Sequence, residues 1–448
     1  MTLSGLQAED SIAAAVDDFA DSEPYRPHSA PFISGNPYRR PLDATRLADL
    51  DWTRPLTEAQ FVSDESLLAN RFLMNIYESD ALFLPAAGLH GQERSFEAFY
   101  STRNRQLADR VRPAVEDYAL GFLDDSVKVT GSWESDAATA HLERTIDEAV
   151  HAERPVLAAV EAATDPRRAA EMLIAQMALD GLTEATAMSQ NLGGAFGPEQ
   201  SELFKIFIDE FGYGVFGAKH STLFTDLCTS TGMATDAHHY WFFYLPTSIA
   251  VNNYFYKVTR NRTGFFRYIG AMALLEATFA PWFDALAKTL RKSVGDDVDT
   301  RYCDEHAHID QHHGRMAVYD LLLPLAKKHG RIAAQGVIRG VEEIRLLSVL
   351  ADEDLLAQLR WNPEAVPFST AAVGTAGARE LGAGTPFETR VAAEDCAVNV
   401  LSGAVDLHWT ATGMPLHVPA GQAVHVPAGR LYGVRAEADA AVVVSPTR

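Results

Sequence analysis

The chain has 448 residues, 60 acidic against 38 basic, a formal charge of −22 and a sequence pI near 5.0. That balance excludes nucleic acid and anionic membrane surfaces as natural partners, because phosphate binders concentrate Lys and Arg; a small molecule is the expected partner. Cys228, Cys303 and Cys396 are far apart and form no CxxC pair, which indicates neither a disulfide framework nor a thiolate zinc site and fits a cytoplasmic location.

The N-terminus lacks a basic start followed by an apolar run, so no secretory signal is read there. No membrane span is expected, since the most apolar segment, 240–251, contains Pro246 and is about half of the ~20 residues a spanning helix needs. Residues 11–19 read as a short acidic amphipathic helix, and 23–55 as a Pro-, Arg- and aromatic-rich stretch without sustained periodicity. Helical patterns return over 65–88 and 95–123. Residues 1–125 are therefore read as an N-terminal helical arm and dimerisation region, with a homodimer expected.

Successive helices are predicted over 137–152, 155–163, 166–190, 198–212, 217–229, 240–259, 265–292, 298–329 and 332–359, and strand alternation is nearly absent, so 126–360 reads as a helical bundle. Residues 361–385 read as a linker, Ala/Gly/Thr-rich from Ser369 onward. Residues 386–448 read as a small β module, with β-branched runs at 398–409, 416–418, 423–426 and 440–444. There the pentapeptide His-Val-Pro-Ala-Gly occurs at His417 and again at His425. The expected fold class is mainly α: a bundle with a helical N-terminal region and a small C-terminal β barrel.

The chemistry concentrates in His-Ala-His-Ile-Asp-Gln-His-His, 306–313. His306, Asp310 and His313 fall at i, i+4 and i+7 on the stripe that continues through the apolar Ala317 and Leu321, so they point toward a core. A carboxylate and two imidazoles are costly there unless hydrogen-bonded, paired or bound to a metal. Glu305, His308 and His312 form a rival set, read as outward-facing because their stripe continues through Asp304 and Tyr319.

Upstream, Glu184 and Glu276 interrupt apolar helical stretches, and Glu210 and His220 flank three glycines able to kink the chain and turn both side chains inward. Any one of these acids alone would more commonly be solvated. Together the seven make a set of oxygen and imidazole ligands without thiolate, suited to iron or manganese, and carboxylates can bridge two cations in a bundle core. Other features have ordinary readings. The aromatics Tyr213, Phe216, Tyr240–Tyr244 and Tyr254–Tyr256 are expected to be core packing, Arg260, Arg262 and Arg267 solvated charge or a clamp for a substrate carboxylate, and His238 and His239 surface residues at a helix start.

These motifs resemble the haem-oxygenase-like di-iron oxidases, most closely the subgroup with a helical N-terminal region and a C-terminal cupin. The resemblance covers nearly the whole chain. It implies Glu184, Glu210, His220, Glu276, His306, Asp310 and His313 as ligands of two iron ions, with O2 as co-substrate and an external electron donor. It further implies oxidation of an amine, guanidine or amino-heterocycle nitrogen in natural-product biosynthesis, for example aminoimidazole to nitroimidazole. Glu210, the additional acid, is the mark of N-oxygenating members and is carried over as catalytic.

The β module departs from the family pattern: Leu407-His408-Trp409 stands where a metal cupin has His-x-His, so a shortened cupin without iron is expected and a nitro-forming relative is the better analogue than a nitrosourea former. Two alternatives remain: a di-iron desaturase or C–C lyase acting on an aliphatic acid or amino acid, and a non-catalytic metal-binding helical protein. Haem bound through His220 is disfavoured, because the surrounding acids would repel its propionates.

Overall fold

The computed structural model describes residues 3–131, 133–368 and 377–447. The chain forms two compact units, each assembled from separated stretches: residues 1–122, 238–249 and 354–448 in the first, 123–237 and 250–353 in the second.

In the first unit, helix Asp64–Glu78 is the central element. Ser63 caps it by accepting from the Ser66 N–H at 3.1 Å, Asp64 and Glu65 complement the positive end of its dipole, and every residue from Ser66 to Glu78 is buried. A helix buried all round belongs to a core. Helices Leu3–Ala20 and Thr102–Leu120 lie in the same unit. Its β region has strands β1 (Ala365–Pro367), β2 (Arg379–Leu381), β3 (Thr389–Val391), β4 (Cys396–Ser402), β5 (Ala404–His408), β6 (Leu416–Pro419), β7 (Gln422–Val426), β8 (Leu431–Arg435) and β9 (Ala440–Pro446).

These strands make two antiparallel sheets, in the orders β1-β7-β4-β9-β2 and β3-β8-β5-β6. Val398 and Val424 of one sheet and Val405, Leu407 and Val418 of the other join a single apolar core. The run expected over 398–409 is two strands, because Gly403 turns the chain with φ 70° where a Cβ would lie 2.4 Å from the Asp439 carbonyl oxygen. β1 and β2 fall within the stretch read as a linker, of which residues 369–376 lie outside the described residues.

The second unit is helical: Ser135–Val150, Pro155–Ala162, Pro166–Gly181, Pro198–Glu210, His220–Thr231, Phe265–Val294 and Arg301–Arg315, with most of Pro246–Arg260 and of Arg331–Arg360. Phe265–Val294 and Arg301–Arg315 pack closely at Gly314, where a Cβ would stand 2.6 Å from the Ala277 Cα. The helix expected over 298–329 changes character after Arg315, becoming a π-helix over Met316–Leu322 before Leu323–His329 resumes α geometry. Among the described residues Arg262–Val294, and not 240–251, is the segment long and apolar enough to cross a membrane, and half of its apolar window is buried inside the protein. It is the core helix that carries Glu276.

Candidate metal centre

Five segments of the second unit deliver the seven side chains. Glu210 is the last residue of helix Pro198–Glu210, and His220 is the first of helix His220–Thr231. Between them Gly212, Tyr213 and Gly214 all have positive φ (57°, 52° and 82°), and a Cβ on Gly212 would meet the Ala218 carbonyl carbon at 2.5 Å. The glycines therefore make a tight left-handed turn rather than a kink within one helix.

Glu184 was expected inside a helix but lies in a turn. Helix Pro166–Gly181 stops where Gly181 meets the Phe224 ring, and Ala185 adopts φ 62° before the short helix Thr186–Ser189. Glu276 projects from mid-helix, and His306, Asp310 and His313 share the buried face of Arg301–Arg315. Ala317 and Leu321 are buried on the continuing stripe, whereas His308 and His312 are exposed and Glu305 is half-buried.

The side chains converge in two groups. Glu184, Glu210, His220 and His306 bring one ligand atom each within 4.8 Å of one another, as do Glu210, Glu276 and His313. Glu210 belongs to both. Its Oε2 is 2.7 Å from His220 Nδ1, while its Oε1 is 3.4 Å from His313 Nδ1. Asp310 joins the second group, with Oδ1 at 3.5 Å from His313 Nδ1. Glu184 Oε1 is 3.1 Å from His306 Nε2 and accepts from the Tyr302 hydroxyl at 3.2 Å.

The far nitrogen of each imidazole on Arg301–Arg315 is tied back to protein. His306 Nδ1 donates to the Tyr302 carbonyl at 2.9 Å, and Phe283 stacks on the ring with centroids 4.3 Å apart, which leaves Nε2 facing Glu184. His313 Nε2 donates to Asp209 at 3.0 Å, which leaves Nδ1 facing Glu210, Glu276 and Asp310. Such outer partners fix the ring orientation of a metal-binding histidine. Asp209, which the sequence reading passed over as the neighbour of Glu210, also accepts from the Tyr213 hydroxyl.

Electrostatically the cluster calls for positive charge. Burial alone would lower the histidine pKa values, yet Glu184, Asp310 and Glu210 raise His306 to about 10, and Asp310, Glu276 and Glu210 raise His313 to about 11. Burial raises Asp310 to about 7. Glu184 Oε2 is buried without a hydrogen bond, while His220 Nδ1 and His313 Nδ1 meet only carboxylates of the cluster among the described residues, Glu210 at 2.7 Å for the first and Glu210, Glu276 and Asp310 at 3.4–3.5 Å for the second. Buried oxygen and imidazole donors gathered in this way, with no thiolate among them, fit a site for iron.

A cavity of about 240 Å³ opens on Glu184, Glu210, Glu276 and His306. Asp180, Asn252, Phe255, Tyr256, Tyr268 and Phe279 contribute to its walls, and among the described residues no Lys or Arg lines it. Of the arginines considered as clamps, Arg267 is held bidentately by the buried Glu343 at 2.7 and 2.8 Å, and Arg262 donates to the Gln190 carbonyl. Tyr213 and Phe216, expected in a core, are exposed.

In the first unit, His238 is not a surface residue. It is buried with φ 62° and sits 2.7 Å from Glu78, which also holds Arg40. His417, on the edge strand β6, contacts Asp406 at 3.0 Å, whereas His425 lies on β7 between β1 and β4. Neither of the two ligand groups found among the described residues involves the β region.

Residues 171–347 match a family described as iron-containing redox enzymes, of the haem-oxygenase type, a span that contains all seven side chains. Over 360 residues, 80% of this chain and 75% of the relative, the sequence is 42% identical to a nitrosourea synthase of Streptomyces achromogenes subsp. streptozoticus. With likeness of that extent, and with the matched span holding the acid and histidine cluster, the chain belongs to the haem-oxygenase-like iron-containing redox enzymes.

Proposed function

We propose that the protein is a non-haem di-iron oxygenase that uses O2 to oxidise the nitrogen of an amine, guanidine or amino-heterocycle. The observation that carries this reading is the position of Glu210, whose two oxygens serve two separate ligand groups. Glu184, His220 and His306 with one of those oxygens would hold one iron, and Glu276, Asp310 and His313 with the other would hold the second. Bound iron supplies the activation of O2, chemistry outside the range of amino-acid side chains, with reducing equivalents from an external donor.

The chain's own residues do the rest. Phe283 and the Tyr302 carbonyl fix the His306 ring, and Asp209 fixes His313, so neither imidazole must reorient when it binds. Phe255, Tyr256 and Phe279 give the cavity apolar walls that limit water beside the reacting centre. The substrate nitrogen reaches the cluster on the side of Glu184, Glu210 and Glu276, the ligands that open on the cavity. A cavity lined by acids and, among the described residues, by no Lys or Arg suits a nitrogen base and opposes an aliphatic carboxylate, the substrate of the desaturase or lyase alternative. The likeness to a nitrosourea synthase supports oxidation directed at nitrogen.

The test is mass spectrometry of products from the iron-loaded protein, a reductant and a panel of amines, guanidines and aminoimidazoles under ¹⁸O2. Gain of labelled oxygen at nitrogen is expected. Loss of two hydrogens from an aliphatic acid, with no labelled nitrogen product, would overturn the reading.

A further inference from the structure

Tyr302 touches two members of one ligand group. It is buried at the start of helix Arg301–Arg315, where its carbonyl accepts from His306 Nδ1 at 2.9 Å and its hydroxyl donates to Glu184 Oε1 at 3.2 Å. The ring is closely packed: Phe224 and Phe283 meet it edge-on with centroids 5.0 and 5.5 Å away, and the His306 imidazole lies at 4.5 Å.

Glu184 stands in the turn after Gly181, so the rotation of its carboxylate is set by what it touches and not by a helix. Among the described residues that carboxylate has two hydrogen-bond partners, the Tyr302 hydroxyl and His306 Nε2, and both meet Oε1. Nε2 is also the nitrogen that His306 would offer to iron, because Nδ1 is committed to the Tyr302 carbonyl. Once Nε2 is given to a metal, the phenol alone remains on Oε1. Oε2, buried without a hydrogen bond, is the oxygen left to bind.

We propose that Tyr302 is a positioning residue whose hydroxyl keeps Glu184 on iron through one oxygen, Oε2, and so leaves a coordination position free on the side where Glu184 lines the cavity. A carboxylate can bind a metal through one oxygen or through both. Released from the phenol, Glu184 could turn both oxygens to the metal and take that position for itself, and an open position is what separates a reactive metal site from a closed one. This inference rests on the proposed iron centre and is independent of which substrate atom is oxidised.

The experiment is anaerobic titration of the Fe(II)-loaded full-length protein with nitric oxide, followed by electron paramagnetic resonance, for the native chain and for Tyr302→Phe. Phenylalanine keeps the ring that packs against Phe224 and Phe283 and removes only the hydroxyl. Iron per chain at saturating Fe(II), read by elemental analysis, should be unchanged, while nitric oxide affinity should weaken by roughly 10-fold or more in at least one phase of the titration. Infrared difference spectra between the two iron-loaded proteins should show a narrower separation of carboxylate stretches in the variant, the mark of an acid that binds through both oxygens. Native nitric oxide affinity in the iron-loaded variant would overturn the proposal, and so would loss of iron from the variant, which would make the hydroxyl a support for metal retention alone. A native protein that takes up no Fe(II) would instead overturn the metal centre itself, so the two failures are told apart.

Discussion

Asp209 holds the far side of the His313 imidazole at 3.0 Å, while the next residue in the chain, Glu210, meets the near side of the same ring at 3.4 Å. One dipeptide thus sets both the orientation of the imidazole and the carboxylate that faces it. A carboxylate behind an imidazole also raises its basicity toward a metal.

Removing that support should weaken the centre without deleting a ligand. Asp209→Ala is expected to lower iron affinity by roughly 10- to 100-fold, and Asp209→Asn, which keeps an acceptor, by less. Fe(II) competition against a chelator measures both. Native affinity in Asp209→Ala would remove the orienting role.

Deleting ligands should act more severely. His313→Ala and Glu276→Ala are expected to abolish turnover and to lower iron per chain, read by elemental analysis. His417→Ala is the control: its ring is largely exposed and pairs with Asp406, an interaction worth about 0–1 kcal/mol, so iron and activity should stay near native. Normal turnover in either of the first two variants would remove the centre as drawn.

Gly314→Ala tests how ligand helices are spaced. The new methyl would stand 2.6 Å from the Ala277 Cα and 2.9 Å from the Glu276 carbonyl oxygen, backbone atoms that cannot swing aside. Overpacking of this kind costs about 1–3 kcal/mol. It also displaces Glu276 from His313, so a lower unfolding midpoint should come with weaker iron binding.

The β region should respond to acid through His408. Burial, aided by Arg435, lowers its pKa from 6.5 to about 4, and its ring packs against Phe387 with centroids 5.2 Å apart. The unfolded chain therefore takes up the proton first. The folded state keeps this group's full contribution above pH 6.5 and loses it as pH falls toward 4, by up to roughly 3 kcal/mol. Urea midpoints at pH 7 and pH 4.5 should differ more for the native protein than for His408→Gln; equal differences would refute the assignment.

Much of the centre was legible in the sequence because helical spacing is rigid. His306, Asp310 and His313 share a face by arithmetic, and the buried Ala317 and Leu321 mark which face it is. The outer acids were not legible. Asp209 and Asp180 sit among helical residues where acids are ordinarily solvated, and only the tertiary arrangement puts one behind His313 and the other on a cavity wall. The turn at Glu184 was signalled only by Asp180-Gly181, a breaker dipeptide set among Leu, Ala and Met that favour a continuing helix; the helix ends at Gly181, which packs against Phe224. β8 escaped notice because Gly433 interrupts its alternation, though that glycine is required where Phe387 would meet a Cβ at 2.7 Å. His238 looked like a surface residue because its partners, Glu78 and Arg40, are remote in sequence.

The left-handed backbone at Ala185 sets stability against alignment. An L-residue with a Cβ loses about 1–2 kcal/mol in that conformation, and glycine there would recover part of it while giving back about 0.4–1 kcal/mol through the greater freedom of the unfolded chain. The net gain would be small. What would change is the stiffness of the peptide that aims Glu184, so Ala185→Gly should produce a protein that melts no lower yet holds iron more loosely.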